Sequence, residues 1–538
     1  MEVTTDERTD AVAAPPTGRR PAMATAAVCF AATLLAPLGG QLVQTLRARE
    51  ARPVAATGAE APGRTPAARL SAAAGAAARA AVGFASGFED AGAVAGIVRP
   101  QVQGLLTRLL RYGNERVVAG RGGWLFYRPE VEALTRFGFL AAGPARGRAS
   151  DPLPAIVDFA RQLRARGITL VLMPAPGKAS VEPERLSSRL DAALGPVEDA
   201  SLAGFAAEME RDGVAVFDPA AALWRAQATA QAPLYLATDT HWRPEGAALA
   251  AAALARFVRE RVRLPQAADP GYRLEASSVT GEGDLAGMLA LPRWAAFAGE
   301  RVGLEQVVDR ADRFCRPRPD ADILLLGDSF ANVFSYAAMG WGEAAGLAER
   351  LAYELRRPVD VIERNDDGAF ATRAILAHEL AMGRDRLAGK RVVIWEFAAR
   401  ELSVGDWRIL PVELRRPVPG RFLVPARGTS VVASGTIAAM APIPRPRSAP
   451  YADYVVGLHL VDVGIGARDG NGEALVFMWA MRARELTPAA RLRVGDRVTL
   501  RLRPWADVEA EVSYASRGEL LEGDLMLQEP CWGEEVRN

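Results

Sequence analysis

The stretch Ile323-Leu324-Leu325-Leu326-Gly327-Asp328-Ser329-Phe330 does most to limit how this chain can fold. Four consecutive aliphatic residues read as a strand buried on both faces, and such strands belong to mostly parallel sheets covered by helices on either side. The strand runs without a break into a small polar turn, which puts the Ser329 hydroxyl at its carboxyl end. In open α/β sheets that end borders the ligand crevice, and a serine there becomes a nucleophile when a histidine reaches it. An ordinary strand-to-helix turn with Ser329 as N-cap fits the octapeptide equally well.

Histidine is scarce enough to narrow the search: His241, His378 and His459 are the full set in 538 residues. His241 lies in Ala237-Thr238-Asp239-Thr240-His241-Trp242-Arg243-Pro244-Glu245-Gly246, a loop ending where Pro244 opens a helix. One imidazole nitrogen of His241 can take the Ser329 proton while the Asp239 carboxylate orients the other. Alternatively, Asp239 caps the helix and His241 merely packs. His378, within a helix at Ala371–Leu387, and His459, within a β-run, read as structural.

Formal net charge is +1, which argues against a general electrostatic partnership with nucleic acid. Only Lys178 and Lys390 occur among 65 basic side chains, so a retained lysine marks a need for a compact ammonium. Lys178 follows a strand end, where it can meet an anionic ligand or pair with a carboxylate. Cys29, Cys315 and Cys531 are widely spaced, with no metal-ligand pattern. A Cys315–Cys531 bridge and two free thiols are both compatible with that spacing.

The chain divides into five segments. A cytoplasmic tail covers 1–21 and ends in Arg19-Arg20; an apolar run at 22–46 is long enough to cross a bilayer as an N-terminal transmembrane helix. It reads as an uncleaved signal anchor, with a cleaved signal peptide as the alternative. Residues 47–110 form an Ala/Gly/Pro/Arg-rich linker or stalk, with some helix around Ala67–Val82. From Arg116–Tyr127, a hairpin signature, the catalytic α/β domain spans 111–415. Its strands are expected at Ile168–Met173, Val214–Phe217, Ile323–Leu326, Val359–Ile362 and Val392–Trp395, with helices at 151–166, Glu198–Arg211, Glu245–Val262 and Ala331–Arg356. A small all-β C-terminal domain at 420–538, a sandwich or barrel, is read from runs at Tyr454–Leu460, Ala474–Met478, Arg493–Leu502 and Val508–Tyr514.

The Gly-Asp-Ser after a buried strand, with Asp-Thr-His-Trp upstream, resembles the SGNH-like domain of the AlgJ/AlgX-like family of alginate O-acetyltransferases. Gly120–Tyr127, Met173–Lys178 with Glu182-Pro183-Glu184, Gly283-Asp284-Leu285 and Val393–Arg400 resemble further segments of that family. The resemblance covers roughly 115–405 and rests on order and combination. It implies a three-layer α/β/α SGNH-like fold with Ser329 as nucleophile, His241 as base and Asp239 as its orienter. The order Asp, His, Ser separates this pattern from SGNH esterases, whose Asp and His follow the serine.

By the same resemblance the protein works on the periplasmic side of the inner membrane and needs no cofactor or metal. It acetylates a polysaccharide acceptor, with a membrane-bound O-acyltransferase as the acetyl supplier. Lys178, Trp242, Arg364 and Arg373 are candidate substrate contacts, with Asn365 beside them; Trp124 and Tyr127 can stack on sugars or close a core. In the β-domain, Trp505, Tyr514 and Trp532 are candidate platforms of a carbohydrate-binding or docking module. An acetylesterase and a non-catalytic glycan-binding scaffold are the competing functions.

Overall fold

In the computed structural model, residues 93–536 are described, apart from 136–137, 141–150, 191–194, 366–367, 416–421, 445, 447–448, 450, 466–469, 521–524 and 526–527. The expected tail, membrane-spanning segment and Ala67–Val82 helix lie outside the described residues. Among those that are described, no helix is long and apolar enough to cross a membrane. A helix, Ala93–Leu110, occupies the end of the expected linker. The chain divides into units at Met1–Val102 and Gln103–Asn538, and the second carries everything below.

A hairpin of β1 (Val117–Ala119) and β2 (Leu125–Tyr127) opens this unit around Gly122 and Gly123. Next come β3 (Thr169–Ala175), β4 (Ala215–Val216), an unforeseen antiparallel ribbon of β5 (Arg273–Gly281) and β6 (Glu300–Val308), then β7 (Ile323–Gly327), β8 (Asp360–Glu363) and β9 (Val392–Ala398). Strands β4, β3, β9, β7 and β8 form one sheet in that order, and every pairing is parallel.

The aliphatic run of β7 is divided between two cores because successive side chains point to opposite faces. Ile323 and Leu325 pack with Val171, Met173 and Ile394 under helices Pro244–Arg261 and Leu347–Leu355. Leu324 and Leu326 pack with Leu172, Val393 and Trp395 under helices Pro152–Arg164, Leu202–Arg211 and Gly368–Ala381. The result is the expected three-layer α/β/α arrangement. Asp151 caps the first of those helices, accepting the Leu153 N–H at 3.1 Å.

The long helix expected over Ala331–Arg356 is broken into a short helix Ser329–Asn332, a turn at Ala337–Met339 and the helix Leu347–Leu355. Gly340 and Gly342 adopt φ of 87° and 89°, which costs glycine little and interrupts the helix to turn Trp341 inward.

The C-terminal domain is a barrel. Its strands are β10 (Val431–Met440), β11 (Tyr454–Ile465), β12 (Gly472–Arg482), β13 (Glu485–Leu486), β14 (Arg497–Pro504), β15 (Ser516–Gly518) and β16 (Pro530–Glu535). Pairings β12–β16, β16–β14, β14–β10, β10–β11 and β11–β12 close a ring around Ile437, Leu458, Val476, Leu500 and Cys531. Closure leaves the five ring strands no open edge. Val508–Tyr514 is not a strand: it carries the helical turn Glu509–Val512. Cys315 and Cys531 are both free and buried, so the bridge does not form.

Both lysines are buried. Lys390 Nζ donates to the carbonyls of Pro319 and Ala321 at 2.6 and 2.8 Å and lies 3.0 Å from Asp360, which also pairs with Arg386 at 2.6 Å. A compact tripod of donors suits this corner better than a planar guanidinium. Lys390→Met is expected to destabilise the protein by about 3–5 kcal/mol, the cost of removing one member of a buried pair, with Lys390→Arg recovering little of it. Urea-unfolding midpoints equal to the parent's would refute this.

Candidate active site

Strand β7 delivers Ser329 through a turn organised by Asp328. Asp328 Oδ1 accepts the Phe330 N–H at 2.8 Å, as an N-cap, and Oδ2 accepts the Ala398 N–H at 2.7 Å from the end of β9. The Asp328 N–H donates to Glu396 Oε2 at 2.9 Å. Burial, reinforced by the neighbouring Asp328, holds Glu396 well above the usual carboxylate range. The cap thus belongs to Asp328, and the Ser329 hydroxyl is left for other partners.

His241 Nε2 lies 2.8 Å from Ser329 Oγ, and His241 Nδ1 lies 2.7 Å from Asp239 Oδ1. Asp239 accepts three more hydrogen bonds. Its Oδ1 takes the His241 main-chain N–H at 3.0 Å, and its Oδ2 takes the Asp284 N–H at 3.0 Å and Trp341 Nε1–H at 2.9 Å. Burial opposes ionisation of Asp239, but the His241 charge and these hydrogen bonds prevail and hold its pKa at about 2. An ionised carboxylate accepts only, so Nδ1 of His241 carries a proton and the Nε2 lone pair of neutral His241 faces Ser329. Burial also disfavours the imidazolium, yet the charge of Asp239 and its hydrogen bond outweigh it and raise the His241 pKa. All three residues are nearly enclosed, with Ser329 only 4% exposed.

Asp284 clamps the same turn. Its Oδ1 and Oδ2 accept the Thr240 N–H at 2.7 Å and the Thr240 hydroxyl at 2.8 Å. Gly283 permits this approach, since a Cβ there would stand 2.0 Å from the Thr238 carbonyl oxygen. Burial, with repulsion from Asp239, lifts Asp284 to about 7. Asp239, His241 and Asp284 lie close enough together to hold a cation. Their ligand atoms are already engaged by N–H and O–H donors, which a metal would have to displace.

The four side chains expected to meet substrate are placed elsewhere. Lys178 is fully buried, donates to the carbonyls of Leu125 and Ala237 at 2.7 and 3.3 Å, and sits over the Trp124 and Phe126 rings. Burial lowers its pKa to about 8. Trp242 is also fully buried and donates to the Phe330 carbonyl at 3.0 Å, steadying the residue after Ser329. Arg364 reaches the barrel, donating to the Arg517 carbonyl at 3.0 Å and pairing with Glu519 at 3.1 Å. Arg373 stacks on Trp395 at 4.9 Å and donates to the Arg408 carbonyl at 3.0 Å. His378 and His459 each face a glutamate, Glu529 at 3.6 Å and Glu473 at 2.9 Å.

The sequence does not point to Trp341, and it offers Asp284 only within the Gly283-Asp284-Leu285 motif. The one sequence signal for Trp341 is an aromatic set between two glycines. In the barrel, Trp505 and Trp532 are buried, while Tyr514 is half-buried. Trp479, Tyr514, Trp532, Arg482, Arg503 and Glu534 line a cleft of about 500 Å³.

A parallel α/β/α sheet carrying a serine at a central strand end, hydrogen-bonded through histidine to aspartate, defines a protein of the SGNH hydrolase-like class. Residues 117–399 match the family described as the SGNH hydrolase-like domain of acetyltransferase AlgX, and the chain belongs to that family. The probable alginate O-acetylase AlgJ of Pseudomonas putida is 30% identical over 306 residues, covering 55% of this chain and 73% of the relative. Its counterpart from Pseudomonas aeruginosa is 31% identical over 183 residues, covering 34% of this chain and 43% of that protein. Among solved structures, the O-acetyltransferase domain of Pseudomonas putida AlgJ is 25% identical, covering 54% of this chain and 93% of that domain, with a TM-score of 0.41. Pseudomonas aeruginosa AlgX is 15% identical, covering 73% and 91%, with a TM-score of 0.42.

Two outcomes follow from the Asp239 environment. Trp341→Phe removes one hydrogen bond to a charged group, which is worth about 1.5–3 kcal/mol. If that loss falls on the step in which His241 takes the Ser329 proton, turnover of p-nitrophenyl acetate drops roughly 10–10²-fold; turnover within twofold of the parent would show that Trp341 only packs. If His241 serves as the base it does so only when neutral, and with its pKa raised the acidic limb of kcat/KM is expected above the ordinary imidazole value of about 6.5. Asp239→Asn should move that limb to lower pH while slowing the reaction; a limb that stays in place in this variant would separate the titration from Asp239.

Proposed function

We propose that this protein is an O-acetyltransferase that acetylates hydroxyls of an exported, alginate-like polysaccharide through a Ser329-linked acetyl-enzyme. The carrying observation is the continuous hydrogen-bonded chain Ser329–His241–Asp239 within a domain of the AlgX family.

Ser329 Oγ attacks the acetyl carbonyl of the donor as its proton passes to His241 Nε2. The buried Asp239 carboxylate stabilises the imidazolium that forms. Collapse of the tetrahedral intermediate breaks the bond to the leaving group, which takes the proton from His241 and leaves acetyl on Ser329. A sugar hydroxyl then gives its proton to His241, its oxygen attacks the acetyl-enzyme, and the proton returns to Ser329 as the acetylated sugar departs. The Ser329 N–H stands at the head of a helix, where leading N–H groups have no intrahelical acceptor, and it supplies one donor for the oxyanion.

The apolar segment at 22–46 would hold this domain on the periplasmic side of the inner membrane, or be removed as a signal peptide. A membrane-bound O-acyltransferase would supply the acetyl group. The cleft beside Trp479, Tyr514 and Trp532 supports a second, non-catalytic grip on the polymer. An acetylesterase uses the same residues with water as acceptor, whereas a non-catalytic scaffold has no need for a complete serine, histidine and aspartate set.

Residues 100–538 are expected to release p-nitrophenol from p-nitrophenyl acetate, and His241→Ala to reduce this by roughly 10²–10⁴-fold. Ser329→Ala should abolish the acetyl-sized mass increase on the peptide carrying Ser329. Supplying uronate oligosaccharides with an acetyl donor should yield acetylated sugar by mass spectrometry. Free acetate as the sole product across a broad acceptor set would favour the esterase, and unchanged turnover in both variants would reject the serine mechanism.

A further inference from the structure

The helix that carries Ser329 is four residues long, too short to fix its own orientation. One side is held by Asp328 and by the Trp242 bond to the Phe330 carbonyl. The other is held through a side chain one turn on. Asn332, fully buried, donates through Nδ2 to Asn365 Oδ1 at 2.8 Å. Asn365, 2% exposed, donates in turn to the Tyr514 carbonyl of the barrel at 2.5 Å and to Met339 Sδ at 3.3 Å. Met339 precedes Gly340-Trp341, the segment that brings the indole to Asp239. The residue before Asn365 follows the same path: the Arg364 N–H donates to the Gly327 carbonyl at 2.9 Å, while its guanidinium holds the Arg517 carbonyl and Glu519.

We propose that Asn365 is a positioning residue for Ser329, and that through it the main chain of the C-terminal barrel takes part in aligning the nucleophile. The proposal rests on the reading of Ser329 as nucleophile. Asn365 joins the Ser329 helix, the Trp341 segment and the barrel at one buried amide. An amide is required there because the site needs an acceptor toward Asn332 and donors toward Tyr514 and Met339 on a single planar group. Ala supplies neither, and Asp supplies the acceptor but sets a carboxylate oxygen against the Tyr514 carbonyl.

The test uses the full chain with p-nitrophenyl acetate, and rates are expressed per active site titrated by the pre-steady-state burst. Asn365→Ala, Asn332→Ala and their double variant should each lower kcat roughly 10–10²-fold, the scale of a small misplacement of a reacting group, with KM within about twofold. The double variant should be no slower than the slower single one, because both remove the same link. Asn365→Asp should be as slow as Asn365→Ala if the barrel contact matters; parent-like turnover in Asn365→Asp would overturn the role of the barrel. A purely structural role would lower burst amplitude and leave the rate per active site unchanged. If Asn365→Ala does not fold, Asn332→Ala decides, since it spares the contact between Asn365 and the barrel. Ser329→Ala separates the two claims. An inactive Ser329→Ala with Asn365→Ala and Asn332→Ala within twofold of the parent overturns this inference alone, whereas an active Ser329→Ala overturns the serine mechanism beneath it.

Discussion

The site depends on keeping one carboxylate ionised out of water. Asp239 is almost fully buried, and burial alone would push its proton affinity up. Four N–H donors, from the His241 main chain and ring, the Asp284 main chain and the Trp341 indole, offset that cost and give each oxygen two partners. Only an ionised, acceptor-only Asp239 forces the His241 proton onto Nδ1 and leaves Nε2 free for Ser329. The His241 tautomer, the basicity of its ring and the direction of the Ser329 hydroxyl bond therefore all follow from this one solvation shell.

That shell also accounts for the insertion between β4 and β7. The helix Pro244–Arg261, which follows the Asp239 turn directly, packs on one face of the sheet, and the loop after β5 brings Asp284 to Thr240 and Asp239. Trp341 arrives from the segment after Ser329. The His241 turn, the Asp284 loop and the Trp341 segment thus converge on one carboxylate. The two cores of the sheet provide the rigidity that holds them there, because β7 and β9 are buried along their whole length.

Legibility in the sequence followed the range of the interaction. The parallel sheet could be read from short aliphatic runs, and the meeting of Ser329, His241 and Asp239 from residue chemistry and the scarcity of histidine. Trp341 could not, because its place depends on two glycines ending a helix that periodicity alone would continue. The β5–β6 ribbon was missed because much of β5 is exposed and presents no apolar alternation. Arg364 does follow a strand end, directly after β8, whereas Arg373 lies within the helix Gly368–Ala381; one fastens the barrel and the other stacks in a tryptophan cluster. Nothing local distinguishes a guanidinium that meets a ligand from one that caps main-chain carbonyls.

The lysines show the same ambiguity with the opposite lesson. In a chain that uses arginine nearly everywhere, Lys178 and Lys390 were retained where an ammonium can donate to two carbonyls in a space closed to solvent. The charge of Lys178 acts on Asp239, Asp284, Glu130 and Glu182, carboxylates around the site. A neutral side chain at 178 would leave those acidic groups less compensated and raise the cost of ionising Asp239. Fully buried, Lys178 is part of the electrostatic support for the carboxylate that holds His241.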